Sequence, residues 1–205
     1  LKVEPSARGW FRFQRFYDAA RKVVNSEAIM RRLLREAAED DLAEGSVRLE
    51  LQIDPTSYAP FVGGITPAIE IIVDEARAIE RDLGISMGII VAASRMRHPL
   101  DARILARLAV RYAGTVIGFG LSNDERRGDT RAFAAAFRIA RNGGLASMPH
   151  GGELLGPPHI HEVVDSLGPT RLGHGVRSIE DPRLLETLIE RGIALEVCPA
   201  SNVSL

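Results

Sequence analysis

The chain contains a single cysteine, Cys198. No intramolecular disulfide can form, which suits a reducing, cytoplasmic setting. Long apolar runs are also missing: no stretch approaches the roughly 18 uncharged residues of a membrane span, and no signal peptide is visible. Charge of one sign is not in excess either. The formal net charge is −1, which removes any general argument for nucleic-acid or anionic-membrane binding. The pairs Arg31-Arg32 and Arg126-Arg127 have acidic neighbours and read as solvated faces.

What is present is ordinary for a chain that buries a core: 45% hydrophobic and 26% charged residues. At 205 residues it fits one large domain or part of a larger one. It opens on Leu1 and stops at Leu205, straight after an apolar segment and without helix caps. The expectation is a single domain over 1–205, incomplete at both ends.

A βα alternation runs through the chain. Trp10 to Val24 and Glu27 to Leu42 read as helices, with Asn25 or Ser26 capping the second. Val47 to Ile53 alternates apolar and polar residues with period two, as a strand does. Asp54 to Ile65 reads as loop, and Thr66-Pro67 as the cap and first residue of a helix ending near Leu83 at Gly84. Further strands are expected at Ile85 to Val91, Thr115 to Leu121, Leu145 to Met148, Arg171 to Gly173 and Ile193 to Val197. The helices between them are expected at Asp101 to Tyr112, Thr130 to Arg141, His159 to Leu167 and Pro182 to Arg191. Apart from the first strand these are too apolar to alternate cleanly, as parallel strands covered on both faces should be.

Six such units leave an open doubly wound sheet or part of an eight-fold barrel. The turn after the first strand, Asp54-Pro55-Thr56-Ser57-Tyr58, carries no G-x-G-x-x-G, which argues against the open dinucleotide-binding sheet. Gln52, Asp54, Ser94, Ser122, Asn123, His150, His174, Ser201 and Asn202 all fall at or just past strand C-termini. In a barrel those ends converge on one face. The fold class expected is therefore a (β/α)8 barrel of the metal-dependent hydrolase kind, with six central strands in this chain.

The most informative segment is Ser147-Met148-Pro149-His150-Gly151-Gly152-Glu153. A histidine at a strand end can offer a ring nitrogen to a metal, and a carboxyl three residues on, past two glycines, can swing over the same site. Such a carboxyl can move protons between water and a substrate nitrogen. His174, between Gly173 and Gly175, sits one strand further on and is placed to orient a water or accept its proton. A chance solvated turn and a satisfied core histidine are the bland readings of these residues.

These motifs resemble the adenosine deaminase family of the amidohydrolase superfamily. His150-Gly-Gly-Glu153 is similar to the family's H-A-G-E, and Arg171-Leu-Gly-His174-Gly175 to its R-I-G-H-G. Ile179-Glu180-Asp181 resembles the segment that follows, and Glu196 to Asn202 resembles E-x-C-P-x-S-N. The likeness covers most of 115–202. It implies a (β/α)8 hydrolase binding one Zn2+ per intact chain, with His150 as a metal ligand, Glu153 as the acid protonating the purine ring nitrogen, and His174 holding the attacking water. It also implies substrate contacts at Asn123, where the family has glycine in A-G-D-E, and at Gly152. The implied reaction is hydrolytic deamination of a 6-aminopurine base or nucleoside. Water adds to the amino-bearing carbon, a tetrahedral intermediate forms, and ammonia leaves.

The departures are specific. No histidine precedes His98, so the family's first-strand H-x-H pair has no counterpart, and the Asp-Asp pair of its eighth strand is also missing. The alternatives are therefore a deaminase of a modified nucleoside such as aminodeoxyfutalosine, and a non-catalytic relative that binds purine-like ligands or a protein. His159-Ile160-His161 could replace H-x-H only on a strand, whereas Pro157-Pro158 before it predicts a helix start. His98 is expected at the surface and Cys198 as a small buried residue. The aromatics Trp10, Phe11, Phe13, Phe16 and Tyr17 are expected to face the core, with a pocket lid as the second reading.

Overall fold

The computed structural model describes residues 9–204. Leu1 and Leu205, on which the reading of incomplete ends rests, lie outside them. Six strands lie in sequence order in one parallel sheet: β1 Arg48–Ile53, β2 Ser86–Ser94, β3 Val116–Ser122, β4 Ala146–Gly151, β5 Arg171–His174 and β6 Ala194–Glu196. Sequential order in a parallel sheet gives one direction of curl rather than the two-way winding of a nucleotide-binding fold. The curl is strong enough that β1 meets β4 and β5 across the concave face. Arg171 Nη1 lies 2.6 Å from Glu50 Oε2, and the Gln52 amide nitrogen lies 2.9 Å from His150 Nε2. The result is the curled portion of a barrel, as the strand-end chemistry predicts.

Nine α-helices accompany the strands among the described residues: α1 Trp10–Arg21, α2 Glu27–Ala43, α3 Ala59–Val62, α4 Ile65–Leu83, α5 Pro99–Val110, α6 Ala134–Asn142, α7 Pro157–Leu167, α8 Pro182–Glu190 and α9 Pro199–Ser204. Ser26 caps α2 by accepting from the Ile29 N–H, and Gly84 ends α4 in the left-handed conformation. Two local expectations fail. The segment after β1 is not plain loop but a 3-10 turn and α3, because Asp54 caps Thr56 and Pro55 presets the first turn. Likewise α4 starts at Ile65 behind Gly64, not at Thr66, so Pro67 lies within its first turn.

The main core lies between the convex face of the sheet and its helices. Ile69, Ile72, Ala76 and Ile79 of α4 are buried there, with Ala102, Leu105 and Ala109 of α5. Phe119 and Phe137 meet edge-on at 5.2 Å between ring centres. Ile160 and Leu172 complete the layer. Helices α2 and α4 to α8 each bury apolar residues, spaced mostly three or four apart.

Candidate active site

Helix α1 buries none of its residues. Trp10, Phe13 and Tyr17 instead line a pocket at the C-terminal ends of the strands. The aromatic stripe is thus a pocket wall rather than a core face, which corrects the sequence expectation. The helix is tied down at its start, where the Gly9 N–H donates to the Ser204 carbonyl, and the Arg126 guanidinium lies 5.1 Å from the Phe11 ring centre. The rest of the wall includes Gln52, Asp54, Ser122, Asn123, His150, Glu153, His174 and Ser201. Most of the polar strand-end residues singled out in the sequence therefore converge on one cavity.

His150 ends β4, with Gly173 of β5 as its register partner. A β-carbon on Gly173 would stand 2.4 Å from His150 Cδ2, so only glycine leaves room for the imidazole. His174 follows at the end of β5 with φ 64°, and its ring meets that of His150 edge-on at 5.0 Å. The Asn202 amide nitrogen lies 3.1 Å from His174 Nδ1; with that nitrogen accepting, Nε2 carries the proton and faces Glu153 Oε1 at 3.4 Å. This gives the Ser201-Asn202 motif a physical role in orienting His174.

Burial sets the protonation of the three groups. Loss of hydration, then the neighbouring His174 and Arg95, lowers the His150 pKa to about 3, so its ring is neutral at physiological pH. Burial, then Glu125 and Asp124, raises Glu153 to about 7, which keeps it a proton donor near neutrality. Burial also lowers His174. The Cys198 thiol is pushed up by burial and by Glu153, although the residue is exposed rather than the small buried one expected.

One ligand atom from each of His150, Glu153 and His174 lies within 4.8 Å of the others. Two imidazoles with lowered pKa values and a carboxyl group are a donor set that suits a zinc-type ion. His159 and His161 do not join it. Both lie on α7, where His159 Nε2 pairs with Thr130 and His161 with Asp181. His98 caps α5 through its Nδ1, accepting from the Leu100 N–H.

On the substrate side, Asn123 lines the pocket with a left-handed φ of 82°. That conformation suits glycine best and asparagine next, which explains how Asn123 stands in for the glycine of A-G-D-E. Gly152 also has positive φ, 77°, and a β-carbon there would meet Ile160 Cδ1 at 2.7 Å. It is not among the residues lining this pocket, and it lets the turn between His150 and Glu153 pass close over α7. Two buried charges, Arg95 and Glu125, receive no role from the sequence, although Glu125 closes the Ser122-Asn123-Asp124-Glu125 segment. Nothing in its local sequence separates Arg95 from a surface charge.

Comparison with known proteins agrees with the geometry. The adenosine deaminase family profile matches residues 1–205. A Streptomyces coelicolor protein, provisionally named adenosine/adenine deaminase, is 62% identical over 97% of this chain and 58% of its own length. An adenine deaminase of Agrobacterium fabrum is 35% identical over 96% of the chain and 62% of its own length. The chain thus spans about three fifths of the length of these relatives. Among solved structures, an adenine deaminase of Arthrobacter aurescens superposes with a TM-score of 0.88 at 25% identity, covering 97% of this chain and 61% of that one. An amidohydrolase of Burkholderia ambifaria with bound Zn gives 0.80 at 27% identity, covering 87% and 50%. The chain belongs to the adenosine deaminase family.

Proposed function

We propose that the intact protein hydrolytically deaminates a 6-aminopurine, base or nucleoside, with one zinc ion per chain. The observation that carries this reading is Glu153: a carboxyl with a pKa near 7, at 3.4 Å from His174 and in one pocket with His150. His150 would hold the ion from this side of the barrel. The ion, when bound, makes a water nucleophilic near neutral pH.

The remaining roles fall to the chain's own side chains. Glu153 donates its proton to the ring nitrogen beside the amino-bearing carbon, making that carbon electrophilic. His174, fixed by Asn202, orients the attacking water. The Asn123 backbone contacts the purine, and Trp10, Phe13 and Tyr17 cover its apolar face. The amino group leaves as ammonia, and a 6-oxopurine remains.

The names of the relatives support an adenine or adenosine substrate. The lone cysteine supports a cytoplasmic setting, and among the described residues no helix is long and apolar enough to cross a membrane. The test is ammonia release from adenine and from adenosine by the intact zinc-loaded protein. Turnover of either supports the reading. Stoichiometric zinc with no ammonia from any 6-aminopurine replaces it with a purine-binding relative.

A further inference from the structure

The turn that carries Glu153 has no regular secondary structure, yet its backbone is tied down on both sides. The Gly151 carbonyl accepts from the Gly175 N–H, and the Gly152 carbonyl from the Arg177 N–H. Arg177 Nη1 reaches the Leu154 carbonyl, and Arg95 Nη2 the His150 carbonyl at 2.7 Å. Three successive amides remain, those of Glu153, Leu154 and Leu155. All three donate to one carboxylate, Glu125, at 3.1, 3.0 and 2.9 Å.

The Glu125 side chain is fully buried, just past β3. It makes no ion pair with an arginine among the described residues. His159 Nδ1 lies 3.8 Å away, a nitrogen with no hydrogen-bond partner among the described residues. A carboxylate buried this way is held by the amides it accepts, and those amides have no other acceptor in the turn. The two buried charges divide the work. Arg95 fixes the turn where His150 ends, and Glu125 fixes it where Glu153 begins.

We infer that Glu125 is a positioning residue: through the amides of residues 153–155 it sets the direction in which the Glu153 carboxyl enters the pocket. Glu125 itself is not among the residues lining that pocket. Hydrogen bonds to an ionised acceptor are roughly twice as strong as neutral ones, so both the charge and the reach of this carboxylate count. Glutamine would keep one acceptor oxygen but turn an N–H donor toward the amides. Aspartate would keep the charge and draw it back by one methylene.

The inference rests on the reading of Glu153 as proton donor, and the experiment separates the two. Glu125→Gln and Glu125→Asp are prepared in the intact protein and compared with wild type for kcat and KM on adenine and adenosine. Zinc content and amide hydrogen exchange are measured alongside. In each variant that folds, kcat is expected to fall by about 10- to 100-fold, as when a reacting group is misplaced by about 1 Å. KM is expected to stay within about 2-fold and zinc content to be unchanged, because substrate and ion contacts remain. The amides of 153–155 are expected to exchange faster while those of the core strands do not.

A folded variant whose kcat stays within about 2-fold of wild type overturns the inference. So does a loss of kcat with the exchange of 153–155 unaltered. If wild type releases no ammonia, the deaminase reading fails separately, and local exchange in the variants alone decides whether Glu125 holds the turn.

Discussion

Glu153 Oε1 stands 3.4 Å from His174 Nε2, and both side chains are more than nine-tenths buried. Glu153 can pass a proton to a substrate nitrogen only while it keeps that proton. Glu153→Gln retains the shape and removes the transferable proton. Turnover is expected to fall by about 10²- to 10⁴-fold, the range for losing a general acid, with zinc content retained. Steady-state ammonia release and metal analysis check it together.

The same carboxyl gives a pH signature. Only its protonated form donates, so kcat/KM should decline as pH rises through about 7, where burial and then Glu125 place the Glu153 pKa. Glu153→Gln should lack this limb in whatever activity remains. A wild-type profile flat from pH 6 to 8, on the order of the window expected, would contradict the assignment.

Stability should carry the mirror image. The folded protein raises Glu153 from 4.5 to about 7, so folding favours its protonated form. That contribution is fully present below pH 4.5 and is lost as pH rises through about 7. Relative to wild type, Glu153→Gln is therefore expected to gain stability between pH 5 and 8, on the order of 3 kcal/mol from the shift. Urea unfolding at the two pH values reads this directly.

Gly173→Ala tests the close approach behind His150. The added methyl would sit 2.4 Å from the ring, so the imidazole must turn away. Zinc affinity is expected to drop by about 10- to 100-fold, as when a group that orients a ligand is lost, with the fold retained. Competition with a chelator measures it.

In the core, Phe137→Ala leaves the edge-on contact with Phe119 empty. The residue is fully buried, and the expected cost is about 3–5 kcal/mol, seen as a lower denaturation midpoint at unchanged slope.

The βα order and the barrel were legible because burial on two faces writes itself into the sequence. Ile69, Ile72, Ala76 and Ile79 repeat at helical spacing, and β2 is a nearly unbroken apolar run. His150, Glu153 and His174 were legible because glycines flank them for steric reasons the structure now displays. Arg95 and Glu125 were not. A charge shows its burial only through partners distant in sequence, here 55 residues away for Arg95 and His150. The wall formed by α1 was misread for a related reason. An aromatic stripe looks the same whether it faces a core or a cavity, and only the position of the helix over the strand ends decides.

Two pocket residues, Asn123 and His174, hold left-handed backbone where most side chains resist it. Each position costs about 1 kcal/mol relative to a relaxed backbone. Glycine would relieve that cost at either place; at 123 it keeps the backbone N–H, whereas at 174 it removes the imidazole beside Glu153. Stability and function therefore pull in opposite directions at His174 but not at Asn123. Variants selected for heat resistance alone are expected to drift toward glycine at position 174 and to arrive as sturdier but inactive barrels.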